Sequence, residues 1–340
     1  MIKLKKRSYE LAEKIQSLQP WNYFQDSDPI YVEYPDGNFV FLDVMGAAGQ
    51  IFGLTMFEGE IGLDTMLRMF CGSENFDDNE NFYFMCDMSN ITLYFDAEKD
   101  LTNPSFSNCI EKEYRNKSGK VPYFMEYERG YFPTIPQNKS FKRIEDYLFV
   151  FTCILDKIQK EGLDQQEDDL LAVYLDEDYK TGDLDSFTFT TLPRPEQSTR
   201  YLGITCDKNN FKKLKKKKRT DSVWTLDAAY FDPAFDGEVD RVIYPYGILL
   251  AGEEFQRPIL QIITPREDRI NFIQDLIYDA IDEFGIPDGI AVRKEEMFAS
   301  IEPIAEELKF NIYDAEDQKE DLDDFFNFLK TMSSNPEPQS

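Results

Sequence analysis

The sequence predicts two folded domains, an α+β domain at the N-terminus and an α/β domain at the C-terminus. The chain has 340 residues, which corresponds to two domains at roughly 150 residues each. Hydrophobic residues make up 42% of the sequence and aromatic residues 15%, enough to build apolar cores. Strand patterns dominate the first half, whereas strands and helices alternate in the last third. The two parts therefore predict different kinds of sheet.

The N-terminal domain, residues 1–160, is predicted to be an antiparallel sheet with flanking helices. Apolar residues at helical spacing predict a helix over 3–18 that ends before Pro20. An Asp-Gly turn at 35–37 lies between two aromatic and β-branched runs and predicts a hairpin, because Gly supplies the positive φ of a tight turn. The remaining predicted elements are strands over 51–57, 82–88 and 91–95, helices over 63–70 and 144–159, and an aromatic loop over 122–133.

Residues 161–221 are predicted to be a connector that contains two strands, 171–175 and 186–192, and a basic run. Seven of the eight residues in 212–219 are Lys or Arg. A run of this kind is typical of a solvated linker, and contact with phosphate or nucleic acid is the alternative.

The C-terminal domain, residues 222–332, is predicted from the order βββαβαβα. Its last two strands follow helices, so they can reach parallel pairing, and the domain is expected to hold a mixed five-stranded sheet. The predicted elements are strands over 223–231, 242–251, 258–264, 289–292 and 310–313, with helices over 265–284, 297–308 and 322–332. Thr264 and Pro265 are expected to start the first of these helices. Residues 333–340 are predicted to be a disordered tail.

The composition excludes several classes of function. Lys and Arg number 37 and Asp and Glu number 65, for a net charge of −28, so the field of the protein disfavours extended nucleic-acid binding except through 212–219. The sequence contains no His, which excludes histidine-based catalysis and His-ligated zinc. Free, buried thiols are expected at all five cysteines, which are Cys71, Cys86, Cys109, Cys153 and Cys206. With no run of 18 apolar residues, the sequence predicts a soluble, cytoplasmic protein without a membrane span.

The last third of the chain resembles the ribonuclease-H-like fold of integrases and transposases. The order of its elements, the run Trp224-Thr-Leu-Asp227 and the turn at 284–292 carry the resemblance. In that superfamily a first-strand Asp, an Asp after the fourth strand and a later acidic residue hold two divalent metals for phosphodiester hydrolysis. Asp227 matches the first position. Arg293 and Lys294 stand where the second Asp is expected, and a cation there would repel Mg²⁺.

The whole chain also resembles an uncharacterised bacterial two-domain family. The segments that carry this resemblance are Pro20-Trp21, 44–49, 122–133 and 285–293. No activity is attached to that family, so the resemblance supports the domain division and implies no chemistry.

Two classes of function remain open. The first is a non-catalytic binding or interaction protein with a degenerate ribonuclease-H-like domain, whose partner is unknown and expected to be a protein; on this interpretation the chain is not an enzyme and needs no cofactor. Aromatic residues around an Arg are typical of binding hot spots, although they can equally plug a sheet edge. The candidate binding residues are Tyr123, Phe124, Tyr127, Arg129, Tyr131 and Arg293.

The second class is a metal-dependent nuclease or phosphoesterase that uses Mg²⁺ or Mn²⁺. Its carboxylates would gather at the carboxyl ends of the C-terminal strands, where open α/β sheets place their ligands. The candidate residues are Asp227, Glu295, Glu296 and Asp314. The alternative is that these are ordinary solvated acids, because acidic residues are abundant in this part of the chain.

Overall fold

The computed structural model describes residues 2–71, 76–97, 120–162, 169–196, 198, 200–207, 209 and 211–334. Two predicted features lie wholly or partly outside these residues: Cys109, and positions 335–340 of the predicted tail. The chain divides into two compact units. Unit 1 comprises Met1–Asn75, Met88–Glu128 and Pro133–Ser198, and unit 2 comprises Phe76–Asp87, Arg129–Phe132 and Thr199–Ser340. Each unit is therefore built from three segments of the sequence.

Both units contain helices and strands. The helices are α1 (Ile2–Leu18), α2 (Gly59–Cys71), α3 (Asp78–Asp87), α4 (Asn138–Glu161), α5 (Phe211–Leu214), α6 (Arg269–Phe284), α7 (Glu295–Leu308) and α8 (Lys319–Ser334). The strands are β1 (Ile30–Glu33), β2 (Phe39–Met45), β3 (Gly53–Glu58), β4 (Asn90–Ala97), β5 (Lys120–Tyr127), β6 (Asp169–Leu175), β7 (Phe187–Pro193), β8 (Val223–Tyr230), β9 (Ala234–Asp236), β10 (Arg241–Ile243), β11 (Tyr246–Ala251), β12 (Ile259–Ile263), β13 (Gly289–Val292) and β14 (Asn311–Asp314).

Unit 1 is built on a seven-stranded sheet in the order β5-β4-β3-β2-β1-β6-β7. The sequence predicts an antiparallel sheet, and the structure corrects this at one pair, because β1 and β6 run parallel. The chain passes through the long helix α4 before β6, so β6 is not restricted to the antiparallel pairing that a short hairpin imposes. The sheet also includes β6 and β7, which lie in the segment predicted to be a connector.

The sheet of unit 1 is buried on both faces. Alternate residues of β2, such as Leu42 and Val44, join a core with Ile15 of α1 and Phe151 of α4. Phe41, whose side chain points to the opposite face, packs with Phe57 of β3 and with Leu63 and Met66 of α2. A strand that is buried on both faces has apolar residues at most consecutive positions. This explains why polar and apolar residues do not alternate along β2.

Two predictions in this part of the chain are wrong. Residues 82–87 of the predicted strand 82–88 belong to helix α3. Asp77 and Glu80 form a reciprocal capping box, in which each carboxylate accepts the other residue's backbone N–H at 2.9 Å. The predicted aromatic loop is a strand up to Tyr127, and Pro122 is tolerated there because β5 lies at the edge of the sheet.

Unit 2 contains a mixed five-stranded sheet in the order β12-β11-β8-β13-β14. Its first three strands pair antiparallel, and β13 pairs parallel with both β8 and β14. The two-stranded ribbon β9-β10 interrupts the predicted order between β8 and β11. Strand β8 therefore occupies the centre of the sheet, with the antiparallel strands on one side and the parallel strands on the other.

Helices cover both faces of the five-stranded sheet of unit 2. Apolar residues of α6 and α7, including Ile277 and Ile301, pack with Trp224 and Leu226 of β8. On the other face Leu322 and Phe326 of α8 pack with other residues of the sheet. Helix α6 is capped by Asp268, whose side chain accepts from the Asn271 N–H at 3.0 Å, rather than by the predicted Thr264. Among the described residues, every helix is too short or too polar to cross a membrane.

Candidate functional site

The first candidate site surrounds Asp227, which lies in the central strand β8 and is 0% exposed. The parallel register pairs Ala291 of β13 with Thr225, so Arg293, two residues further on, comes level with Asp227. Arg293 donates from Nε and Nη2 to Oδ2 of Asp227 at 2.9 and 2.7 Å, and Lys294 donates to Oδ1. Arg293 also donates to Asp323 of α8 at 2.6 Å. We call Asp227, Arg293, Lys294 and Asp323 the Asp227 cluster.

Both oxygens of Asp227 are thus occupied by cationic donors. Burial lowers the pKa of Arg293, but the charges of Asp227 and Asp323 outweigh burial and the pKa is raised overall. Burial lowers the pKa of Lys294 below its usual range even though Asp227 opposes this shift. A divalent ion could reach this carboxylate only by displacing two partly buried cations from it.

The four carboxylates predicted to hold a metal do not form one site. Asp227 and Glu296 belong to two different clusters, and Glu295 begins α7. Asp314 ends β14, is exposed, and accepts the Glu316 N–H at 2.9 Å. Across the described parts of the chain, no group of three or more Cys, Asp or Glu side chains is placed to hold a metal ion.

A second cluster of buried charges lies in unit 2. Asp87, the last residue of α3, accepts from Arg129 at 2.6 Å, Arg269 at 3.2 Å and Arg200 at 3.4 Å. Glu296 of α7 accepts from Arg129 at 2.5 Å and lies 3.6 Å from Arg269. We call these five residues the arginine cluster. They come from all three segments of unit 2.

The arginine cluster is closed to water except at one side chain. The side chains of Asp87, Glu296, Arg200 and Arg269 are between 1% and 6% exposed, whereas Arg129 is 24% exposed. Burial raises the pKa of Glu296, but Arg129 and Arg269 outweigh it, so the pKa is lowered and the carboxylate stays ionised. Burial also lowers the pKa of Arg129, and the charges of Asp87 and Glu296 raise it above its usual range.

Three tyrosines complete the hydrogen bonding of this cluster. Tyr230 donates to Asp87 at 2.8 Å, and Tyr246 donates to Glu296 at 3.0 Å. The hydroxyl of Tyr83 lies 3.0 Å from that of Tyr246. Arg269 lies over the ring of Tyr246, 3.8 Å from its centroid. Burial raises the pKa of each tyrosine, so the phenols remain protonated and act as donors.

The predicted binding residues of 122–133 are divided between the two units. Tyr123 stacks on Tyr94 in unit 1 and donates to Asp96 at 2.8 Å. Phe124 is 2% exposed in the core of unit 1, and the hydroxyl of Tyr127 lies 3.4 Å from that of Tyr94.

Arg129 and Tyr131 belong to unit 2. Arg129 belongs to the arginine cluster. The guanidinium of Arg241 lies over the ring of Tyr131, 3.9 Å from the ring centroid. For Tyr123 and Phe124, the observed contacts fit the structural interpretation of the aromatic residues.

The basic run 212–219 was expected to be a solvated linker. Six of its seven cations are exposed, and several of its cations pair with neighbouring helices of unit 2. Lys213 and Lys217 pair with Asp282 of α6 at 2.5 and 2.6 Å, and Lys215 pairs with Glu307 of α7 at 2.7 Å. Arg219 donates to the backbone carbonyls of Leu308 and Lys309. Cations at the end of a helix are favoured by the helix dipole, which gives this run a structural role.

Sequence reasoning missed most of the arginine cluster. Asp87 fell in a segment predicted as a strand, and Arg200 lay in the connector. Tyr230 of β8 and Tyr246 of β11 lie directly opposite each other, but nothing in the sequence predicts that strand register. The alternation of Trp224, Leu226, Ala228 and Tyr230 does place Tyr230 on the buried face, which was the one available signal.

The cysteines that the structure describes fit the expected free thiols. Cys86, Cys153 and Cys206 are free, and the first two are buried. Burial, and then the charge of Asp87, raise the pKa of the Cys86 thiol. A protonated, buried thiol is a poor nucleophile, so Cys86 has a packing role.

Comparison with known families divides the chain in a similar way. Residues 6–173 match the model of a domain of unknown function (DUF7309), and residues 210–330 match that of a second domain of unknown function (DUF6930). One match lies in the N-terminal region of the chain and the other in its C-terminal region. Neither the curated proteins nor the solved structures gave a match.

Proposed function

We propose that the chain is a non-catalytic binding protein and that its unit 2 is a degenerate ribonuclease-H-like domain. The order of elements supports the second part, because without the ribbon β9-β10 it runs βββαβαβα with β8 in the centre. The observation that carries the proposal is the occupation of Asp227. A carboxylate held by Arg293 and Lys294, with 0% exposure, serves the packing of the sheet instead of a metal.

A protein partner is favoured over nucleic acid. The net charge of −28 repels polyanions. At least four of the seven cations in the basic run donate hydrogen bonds to carboxylates and carbonyls in or next to α6 and α7. Nucleic-acid binding depends on cations that are available to phosphates. Labelled DNA or RNA at moderate salt is therefore expected to show no change in fluorescence anisotropy. A salt-sensitive rise that disappears when exposed lysines of the run are replaced would contradict this part of the proposal.

The decisive experiment is a comparison of Asp227→Asn with Asp323→Asn. Both substitutions remove one partner of Arg293, but only the first also removes the partner of Lys294. We expect Mg²⁺ and Mn²⁺ to leave the melting temperature of the wild type unchanged relative to EDTA. We expect Asp227→Asn to lower it more than Asp323→Asn does, with or without metal.

A nuclease would behave differently. Metal would then stabilise the wild type by mass action, and Asp227→Asn would abolish both that stabilisation and the cleavage of a phosphodiester substrate. Such a result would overturn the proposal, whereas a metal-independent loss of stability would support it.

A further inference from the structure

Arg129 has an available hydrogen-bond donor at the open side of the arginine cluster. Its Nε and Nη2 atoms donate to Asp87 and Glu296 at 2.6 and 2.5 Å, and these two bonds fix the orientation of the guanidinium. Within the described residues, its third nitrogen, Nη1, has no acceptor. The side chain is 24% exposed, whereas the other four charged side chains of the cluster are almost fully buried.

The carboxylates of the cluster have no capacity left for this donor. Asp87 accepts from Arg129 and Arg269, from a third arginine and from a tyrosine hydroxyl. These four donors match the about four lone-pair sites of a carboxylate. Both oxygens of Glu296 also accept hydrogen bonds. An acceptor for Nη1 of Arg129 must therefore come from outside the cluster.

The charges of the cluster indicate that this acceptor is negative. Its five side chains include three guanidinium groups, on Arg129, Arg200 and Arg269, and only two carboxylates. Charges that are withdrawn from water interact more strongly than exposed ones. An anion beside Arg129 would add a negative charge where guanidinium groups outnumber carboxylates.

The phenol of Tyr201 is a second available donor. The guanidinium of Arg200 lies over its ring, 5.0 Å from the centroid, and its hydroxyl has no partner among the residues that the structure describes. Burial raises the pKa of Tyr201, and the charge of Glu296 raises it further, whereas that of Arg129 opposes the shift. The phenol therefore lies within the field of the arginine cluster, and it stays protonated and able to donate.

We propose that Arg129 and Tyr201 bind a compact oxyanion, a phosphate or a phosphate monoester, at the open side of the arginine cluster. A guanidinium and a hydroxyl both donate to phosphate oxygens, and hydrogen bonds between charged groups are the stronger ones. Clustered arginines are a recurrent means of recognising phosphate groups. Because Asp87 and Glu296 already hold the guanidinium in place, binding requires little further ordering of that side chain.

The charge of the whole chain restricts the size of the ligand. A net charge of −28 repels a long polyanion at many points, whereas a compact anion meets mainly the charges close to it. Salt screens more distant exposed charges beyond about 8 Å at physiological ionic strength. The proposed anion site lies within unit 2 and shares no residue with the Asp227 cluster. It therefore does not depend on the proposed function, and it can be tested in EDTA.

The test is isothermal titration calorimetry of the full chain with inorganic phosphate and with O-phosphoserine, in EDTA and at an ionic strength held constant with NaCl. The wild type is expected to bind at least one of them with a dissociation constant of about 1 mM or below. Tighter binding of O-phosphoserine would support a monoester as the ligand, and equal binding would support phosphate itself. Tyr201→Phe removes only the hydroxyl and is expected to weaken binding by about three- to tenfold.

Arg129→Gln is expected to weaken binding by about tenfold or more, because it removes the charged donor. Arg257→Gln is the matched control, since it removes the same charge from an exposed position of unit 2 and should leave binding unchanged. Circular dichroism checks that each variant is folded. If Arg129→Gln is not folded, Arg129→Lys replaces it, because Lys keeps the charge but not the forked geometry of the donors.

Three results would overturn the proposal. The first is a wild type that binds neither anion. The second is binding that Tyr201→Phe and the folded Arg129 variant leave intact. The third is binding that Arg257→Gln weakens as much as the Arg129 variant does, which would show a general effect of charge.

Discussion

Replacing Asp43 with Asn is expected to stabilise unit 1 at neutral and alkaline pH. Asp43 lies in β2 and is 5% exposed. Its Oδ1 atom has no hydrogen-bond partner. Burial, and then the negative charge of Asp26, raise the pKa of Asp43 to about 7. The ionised carboxylate is therefore an unfavourable group in the folded chain at neutral pH.

The sign of the pH dependence follows from the direction of the pKa shift. Because the pKa is raised on folding, the protonated group favours the folded state below the pKa of the unfolded chain, and this contribution is lost as the pH rises through about 7. The interval from about 3.9 in the unfolded chain to about 7 corresponds to roughly 4 kcal/mol, at about 1.4 kcal/mol per pKa unit. Asn carries no charge at any pH, so Asp43→Asn removes this cost.

The assay exploits the two tryptophans of the chain. Trp21 belongs to unit 1 and Trp224 to unit 2, so in a Trp224→Phe background the fluorescence of Trp21 reports the urea unfolding of unit 1. The free energy of unfolding of Asp43→Asn is expected to exceed that of its parent by up to about 4 kcal/mol at pH 8 and to approach it at pH 4.

The exposed substitution Asp178→Asn in unit 1 controls for the loss of one negative charge. A difference between Asp43→Asn and its parent that is the same at pH 4 and pH 8 would refute this reasoning.

Three further predictions concern both units. Glu296→Gln is expected to lower the melting temperature by about 6–12 °C, from a loss of roughly 3 kcal/mol when a buried ion pair loses one partner; the exposed Glu302→Gln on the same helix should have little effect in the same thermal melt. Gly62→Ala should destabilise unit 1 by about 1–3 kcal/mol in urea, although Ala normally stabilises a helix, because its Cβ would lie 2.4 Å from the backbone carbon of Phe57. The fragment 199–340 should show no cooperative melt by circular dichroism, since it lacks α3 and the partners that α3 supplies; a sharp transition would contradict this.

Elements with local signals could be predicted from the sequence. The hairpin of β1 and β2 was predicted from the Asp-Gly turn, and Gly37 has the positive φ of 81° that such a turn requires. Helix α6 was predicted from its apolar stripe, which packs in the core of unit 2. In both cases the signal lies within a few neighbouring residues, so it can be recognised in the sequence without knowledge of the tertiary contacts.

Elements with competing signals were predicted wrongly. Phe82, Tyr83 and Phe84 have high strand propensity, but the capping box of Asp77 and Glu80 and the packing of Phe82 and Tyr83 in unit 2 favour helix α3. Propensity describes how well a side chain fits a pleated surface, and it gives way when tertiary packing provides a better environment. The start of α6 was misplaced for a related reason, because Thr264 and Asp268 are both able to cap.

The arginine cluster could not have been predicted from the sequence. Because its residues come from three chain segments, unit 2 needs all three segments to pair its buried charges. Asp87 and Arg129 are 42 residues apart, and Asp87 and Arg269 are 182 apart, distances over which no periodic pattern extends. Removing the segment that contains Asp87 or Arg129 would leave the remaining buried charges without their partners, which costs several kcal/mol. The family match that begins at residue 210 omits both segments. A boundary placed by sequence similarity therefore differs from the boundary of the piece that can satisfy its own buried charges.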